Sequence, residues 1–337
     1  MSLPSVPLYP LRFQPILKRP IWGGKRIVPF KHLTDDSGNV GESWEVSAVP
    51  GDESIVAEGA LAGLSLSQLV AQYGEKLVGK HNFERFGLMF PLLVKFIDAR
   101  TDLSIQVHPD DELAWIRHHS LGKSEMWYVI DAQPGAQIVS GLSVPITVED
   151  YRKRVKEGTI TDVLMHHEAR VGDVYYLPAG RIHTIGGGVF LAEIQETSNV
   201  TYRIYDYGRL DRDGNPRELH TEQAESAIDF QVYDDYRTHY RPKCGERVPL
   251  LSTSHFSVAL HDLDKPQDYD YTRLDSFVIY LCIEGKASLS VSCADGAGGI
   301  CETQHCLCAG ETLLFPATVC DIRIEPQSKV KFLESYL

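Results

Sequence analysis

The first two-thirds of the chain contain no cysteine, and no CxxC pair occurs anywhere. That excludes the small disulfide scaffolds and the thiolate zinc modules. The seven cysteines, Cys244, Cys282, Cys293, Cys301, Cys306, Cys308 and Cys320, are odd in number and lie in the last third. They read as free thiols in a reducing compartment, so a cytoplasmic protein is expected. The cluster Cys301, Cys306, Cys308 and His305 reads as incidental. Long apolar runs are also missing. The stretch 277–283 falls far short of the roughly 20 residues a spanning helix needs, so no membrane partner is expected. Pro4, Pro7, Pro10 and Pro15 break up the N-terminus before Lys18 and Arg19, which argues against a secretory signal. Positive charge is scarce: 33 Lys and Arg stand against 46 Asp and Glu, a net charge of -13. That balance argues against a nucleic-acid or anionic-membrane partner, and an anionic substrate would need local positive charge.

Two familiar ion-binding patterns are absent on inspection. Gly186-Gly187-Gly188 has no GKS/T after it and opens no helix, so it reads as a hairpin turn and not a P-loop. The stretch from Asp211 to Glu222 imitates a calcium loop, but Pro216 sits where glycine is required. A surface loop is expected there.

What is present is mostly β-type pattern. The 337 residues call for two domains or one large composite. Glu42, Trp44 and Val46 alternate with Ser43, Glu45 and Ser47, a half-buried strand. Trp22 and Trp44 read as core residues, with a place near a ligand as the lesser reading. Residues 64–86 shift to helical spacing, with Ser65 or Ser67 able to cap. A strand follows over 88–97, with Lys95 at an edge or a site wall. Residues 109–116 open a short helix, and His118 and His119 at its end read as solvated. Residues 147–166 read as a second helical segment ending at His166 and His167. The stretches 190–194 and 200–205 read as an antiparallel pair that puts Arg203 beside the His183 strand. Residues 232–248 read as a linker, and 249–337 as all β.

The chemistry concentrates between Gln106 and His183. Residues two apart in a strand face the same way, so Gln106 and His108 share a face, as do Lys123, Glu125 and Trp127. If these strands neighbour each other, Gln106, His108, Glu125 and His183 converge in one mouth. Nitrogen and oxygen donors without thiolate suit zinc or a similar divalent ion. A weak repeat is also visible. Val171 to Ala179 resembles Ala309 to Ala317 in its Gly and Pro spacing, with Asp321 where the first copy has His183.

The Gly-Asp, Pro-x-Gly and His pattern around 172–183 resembles the cupin superfamily, whose small barrels carry metal. Four motifs sharpen this: Gln106-Val-His108-Pro109-Asp110, Gly122-Lys123-Ser124-Glu125-Met126-Trp127-Tyr128, Pro178-Ala179-Gly180-Arg181-Ile182-His183 and Thr201-Tyr202-Arg203-Ile204-Tyr205-Asp206. Together they resemble the type I mannose-6-phosphate isomerases in their shorter bacterial form, over nearly the full length. The resemblance implies a mainly β fold of two cupin (jelly-roll) barrels, with a helical insertion in or beside the catalytic half. It implies a catalytic metal-binding domain over 1–240 and a C-terminal barrel without metal over 241–337. It further implies a zinc-dependent, reversible isomerisation of mannose 6-phosphate and fructose 6-phosphate, with one Zn2+ per chain. His108, Glu125 and His183 would be metal ligands and Gln106 a fourth. Arg203 and Lys123 fall at the family's active-site arginine and lysine.

The residues agree with that chemistry. Aldose–ketose isomerisation moves a proton between adjacent carbons through an enediol(ate), whose charge a metal and nearby cations can stabilise. Lys123 and Arg203 could serve there or hold phosphate, and Arg181 is a further phosphate candidate. Two positions depart from longer members: Gly122 replaces a histidine, and Asn199 replaces an aspartate common in the family. An amide cannot act as a base. Rival readings are a non-catalytic sugar-phosphate-binding cupin, an isomerase of another phosphosugar, and an iron-dependent oxidoreductase.

Overall fold

The computed structural model describes residues 6–35, 38–211, 213–294 and 299–337. Pro4 and Arg212, used above, lie outside the described residues. Three sheets account for nearly all strands, and every ladder is antiparallel. The first has six strands in the order Ile16–Lys18, Glu42–Val46, Leu92–Asp98, Val189–Glu196, Glu125–Ala132, Val174–Leu177. The second has five, in the order Tyr202–Tyr205, Ile105–Val107, His183–Ile185, Gln137–Leu142, Leu164–Glu168. The third belongs to the C-terminal part and is built on the long strands Val278–Ala294 and Val319–Tyr336.

The period-2 rule explains how the six-stranded sheet is buried on both faces. Val94, Phe96, Met126, Tyr128, Ala192 and Ile194 point one way. They join a core with Leu260, Ile279, Leu281 and Leu333 of the third sheet. Ile97, Trp127, Val129 and Leu191 point the other way, into a core shared with Ile138 and Ile185 of the five-stranded sheet. The back of that second sheet is covered by helical residues: Tyr151 and Ile160 pack with Ile105, Val107 and Tyr202. Hydrophobic burial thus stacks the three sheets in sequence, and the largest core runs through both parts of the chain.

Local signals account for the helices. Ser65 caps Leu66–Tyr73 with a full capping box to Gln68, and Thr147 does the same for Val148–Glu157 with Asp150. Asp110 caps Asp111–His118 through the Leu113 N–H.

Several expectations need correction. Val189–Glu196 and Tyr202–Tyr205 do not pair. The chain changes sheet between them, held by the Gln195 amide donating to the carbonyls of Glu196 and Ser198. Arg203 therefore lies opposite Gln106, one strand away from His183. The glycine run is not a hairpin turn. It carries the chain from the five-stranded to the six-stranded sheet, and the N–H groups of Gly186 and Gly188 bond the carbonyls of Gln137 and Ala99. Leu164–Glu168 is a strand, not a helix end, and its His167 is buried against Tyr175 and Tyr236. Of the two readings for Lys95 only the edge fails: it sits in the middle of a sheet and forms part of a cavity wall. His118 is exposed, yet its ring bonds the Tyr202 hydroxyl at 2.9 Å. The internal repeat is structural: Gly172 and Gly310 both turn with positive φ (90° and 83°) into the strands Val174–Leu177 and Thr312–Phe315.

Candidate active site

Glu125 opens a strand of the six-stranded sheet, while Gln106, His108 and His183 come from the facing sheet. His183 pairs directly with Gln106 across the ladder. His108 follows the end of the Ile105–Val107 strand, and its carbonyl accepts the Gly180 N–H. Gly180 has φ of 89°, and a Cβ there would meet the Ala227 carbonyl oxygen at 2.9 Å. The Pro178-Ala179-Gly180 turn therefore requires glycine, and it sets His183 opposite His108.

The ligating atoms of His108, Glu125 and His183 all lie within 4.8 Å of one another, and the three side chains are buried. Each imidazole is fixed through Nδ1. His108 Nδ1 bonds the Val200 carbonyl at 3.0 Å, and His183 Nδ1 bonds the Arg181 carbonyl at 2.8 Å. A carbonyl only accepts, so both Nδ1 atoms carry a proton, and in a neutral ring Nε2 is then left with its lone pair. His183 Nε2 stands 3.1 Å from a Glu125 oxygen, and His108 Nε2 stands 3.5 Å from the other. Neither oxygen of Glu125 accepts a well-aligned hydrogen bond. Buried lone pairs facing one another across 3 Å are repulsive unless a cation lies between them. Lys123 supplies part of that charge, with Nζ 3.0 Å from Glu125 and 3.1 Å from His108 Nε2. The donor set fits a divalent metal, and backbone acceptors orient both rings as such sites require. Gln106 Nε2 lies 3.2 Å from His183 Nε2, near enough to join the set if its amide turns.

The electrostatics follow from burial. Burial alone would raise the Glu125 carboxyl, but the Lys123 charge, the first of its opposing partners, outweighs it and holds it well below the ordinary range. Burial and the Lys123 charge push His108 well below its usual value, so it stays neutral.

A cavity of about 370 Å³ opens beside this cluster, lined by Gln106, Lys123 and Arg203. Trp22 and Trp44 are buried and form part of its wall, so both readings of these residues hold at once. Lys95 lines it as well. Burial would lower Lys95, but Glu193 and then Glu42 raise it, and the Lys95–Glu193 contact is 2.9 Å. Arg203 is half-buried, donates to the Glu218 carbonyl, and leaves Nε without a partner. Burial and the neighbouring Arg217 lower its pKa. Arg217 reaches the cavity while pairing with Asp206 at 3.2 Å.

Arg181 is not brought to this cavity. Its guanidinium lies between the rings of Tyr233 and Tyr236, at 4.7 and 4.5 Å. Gly122 also has a physical explanation. A Cβ there would meet the Asp111 backbone nitrogen at 2.6 Å, so the start of the Asp111–His118 helix leaves no room for histidine. Asn199 does line the cavity. Glu193 and Arg217 were missed from sequence. Glu193 had a signal, a carboxylate inside an apolar strand run, whereas Arg217 sits in a polar loop that shows none.

A buried two-histidine, one-carboxylate cluster between antiparallel sheets, beside a cavity with four cationic side chains in its lining, has the form of a metal-assisted active site. The family model "Phosphomannose isomerase type I, catalytic domain" matches residues 11–132. The mannose-6-phosphate isomerase ManA of Bacillus subtilis is 34% identical over 83% of this chain and 87% of its own length. The mannose-6-phosphate isomerase of Streptococcus mutans is 32% identical over 92% and 93%. The crystal structure of a Bacillus subtilis mannose 6-phosphate isomerase superposes with a TM-score of 0.83 at 31% identity, covering 97% of this chain and 99% of that one. The chain belongs to the type I phosphomannose isomerase family.

Proposed function

We propose that this protein interconverts mannose 6-phosphate and fructose 6-phosphate, using one zinc ion held by His108, Glu125 and His183, with Gln106 as a fourth ligand. The supporting observation is the buried His108, Glu125 and His183 cluster, whose carboxylate oxygens accept no aligned hydrogen bond, beside a cavity lined by Lys123, Arg203 and Arg217. A bound divalent metal would polarise sugar oxygens at that point. The remaining work falls to the chain. Lys123, beside the ligands, stabilises charge developing on the sugar oxygens. Arg203 and Arg217 offset the phosphate, which the net charge of -13 would otherwise repel. Arg181, held between tyrosines, keeps a structural part. Glu193 is our assignment for the proton shuttle. It is buried and lines the cavity, with Lys95 2.9 Å from one oxygen and Trp127 Nε1 donating to the other at 2.7 Å. It would take the proton from C2 of the aldose and return it to C1 while a hydroxyl proton passes from O2 to O1, so Asn199 need not act as a base.

We further read the paired sheets as two cupin barrels, divided as 1–240 and 241–337, with the helices inserted in the first. The metal-free repeat, in which Asp321 replaces the histidine, supports that division. Free thiols in the last third support a cytoplasmic setting. The iron–oxygen reading gives no part to the cations that line the cavity.

The test is a coupled assay for fructose 6-phosphate from mannose 6-phosphate, with chelator-treated protein and His183→Ala alongside. Turnover abolished in both controls is expected. Glu193→Gln should lower kcat by about 10²-fold or more with bound metal retained. A folded, metal-loaded protein without turnover would overturn the mannose assignment in favour of a sugar-phosphate binder or another phosphosugar.

A further inference from the structure

A second recess, of about 340 Å³, opens in the C-terminal sheet, where no residue of the isomerase cavity reaches. Its floor is a closed polar network. Glu334, 1% exposed, accepts two bonds from Arg247 Nε and Nη2, one from His261 Nε2 at 2.6 Å and one from the Tyr271 hydroxyl at 3.0 Å. Its sides are aromatic. Tyr269 stands edge-on to His261, and the Tyr336 hydroxyl accepts from Arg247. At the rim, Asp270 and Arg273 are exposed.

We propose that this recess is a second, non-catalytic binding site for a neutral sugar ring. Three features of the lining converge on that chemistry. Tyrosine rings offer flat apolar faces, which match the C–H faces of a pyranose. At the rim the exposed Asp270 carboxylate accepts and the exposed Arg273 guanidinium donates, which matches the vicinal hydroxyls of a sugar. The lining also carries two arginines and two carboxylates, so its formal charge is zero. That balance favours a neutral ligand over a phosphate, in contrast to the isomerase cavity with its arginine pair. The floor is already bonded, so little side-chain freedom is lost when a ligand settles on it. Burying an ionised glutamate is costly and an apolar plug would serve stability as well or better, so the network earns its place by shaping the recess.

This recess shares no lining residue with the isomerase cavity, so binding here does not require turnover there. The probe is D-mannose, titrated into the full chain and followed by ligand-observed NMR and calorimetry. Saturable binding is expected, with Kd on the order of 1–10 mM, as a ligand of about a dozen heavy atoms permits. It should persist after metal removal and in saturating mannose 6-phosphate. Tyr269→Ala and Asp270→Asn should each weaken it about tenfold or more, while isomerase kcat/KM stays unchanged and certifies the fold. Inorganic phosphate should not compete. The proposal is overturned by any of three results: no saturation up to about 100 mM, binding abolished by chelator or mannose 6-phosphate, or binding unaltered by both variants.

Discussion

Each part of this molecule buries one glutamate beside histidine and a cation, yet the two are opposites. Glu334 is saturated: Arg247, His261 and Tyr271 fill its oxygens. Glu125 has Lys123 and two histidines within 3.5 Å, but neither oxygen receives an aligned hydrogen bond. A saturated buried carboxylate is a finished structural element. An unsaturated one among lone pairs is waiting for a positive charge. Similar residue types thus make a closed strut in one sheet and a candidate ligand set between two others. Which one forms depends on whether donors or acceptors converge.

This contrast can be broken or sharpened, from the largest effect downward. Glu125→Ala should remove bound metal and lower kcat/KM by about 10³-fold or more, whereas Glu334→Gln should leave metal content alone. Metal analysis beside the coupled assay decides, and a Glu125→Ala protein that keeps its metal would erase the distinction.

In stability the order reverses. Glu334→Ala leaves the Arg247 and His261 partners stranded and should cost about 3–5 kcal/mol in urea unfolding, with metal stoichiometry unchanged.

Acid should tell the same story. His261 and Arg247 overcome the burial that would raise Glu334, and they hold it at about 2 against an ordinary 4.5. A depressed carboxyl contributes stability that is fully present above the unfolded value and is lost as pH falls through the folded one. Between pH 5 and 2 the wild type should therefore lose about 3 kcal/mol that Glu334→Gln does not. Parallel unfolding curves for the two proteins would contradict this.

The smallest effect tests the joint between the parts. His255, from the C-terminal part, bonds Glu196 at 2.8 Å, and the other Glu196 oxygen accepts the N–H of Ser124, next to Glu125. That bond raises the His255 pKa. Its stabilisation is fully present below the unfolded value near 6.5 and fades as pH rises through the folded value. Its contribution should be about 0.5–1 kcal/mol. The melting temperature of wild type minus His255→Asn should shrink between pH 6 and 9, and a constant difference would remove this bond from the joint.

Much of the site was legible in the chain. Gln106 and His108 stand two apart, and Glu125 opens a run of alternating residues, so local geometry aims them before any tertiary contact forms. Arg181 misled because its motif neighbour His183 does reach the site. Residues two apart share a face only within a strand, and Arg181 lies before the strand that His183 opens, so the turn sends it to Tyr233 and Tyr236 instead. The misread pairing of 190–194 with 200–205 has the same origin. Adjacent strands usually pair, and nothing local announces a switch of sheet.

By itself, then, the sequence determined the donor types, their spacing, the capped helices and the glycines that turns and close approaches demand, because each depends on neighbours within a few residues. The tertiary structure alone decided the rest: that Glu125 and His183 meet from different sheets, that Lys95, Glu193 and Arg217 share their cavity, and that Glu334 is saturated where Glu125 is not. Those outcomes depend on which distant strands pack face to face, and burial and the partners it brings into range exist only once they have done so.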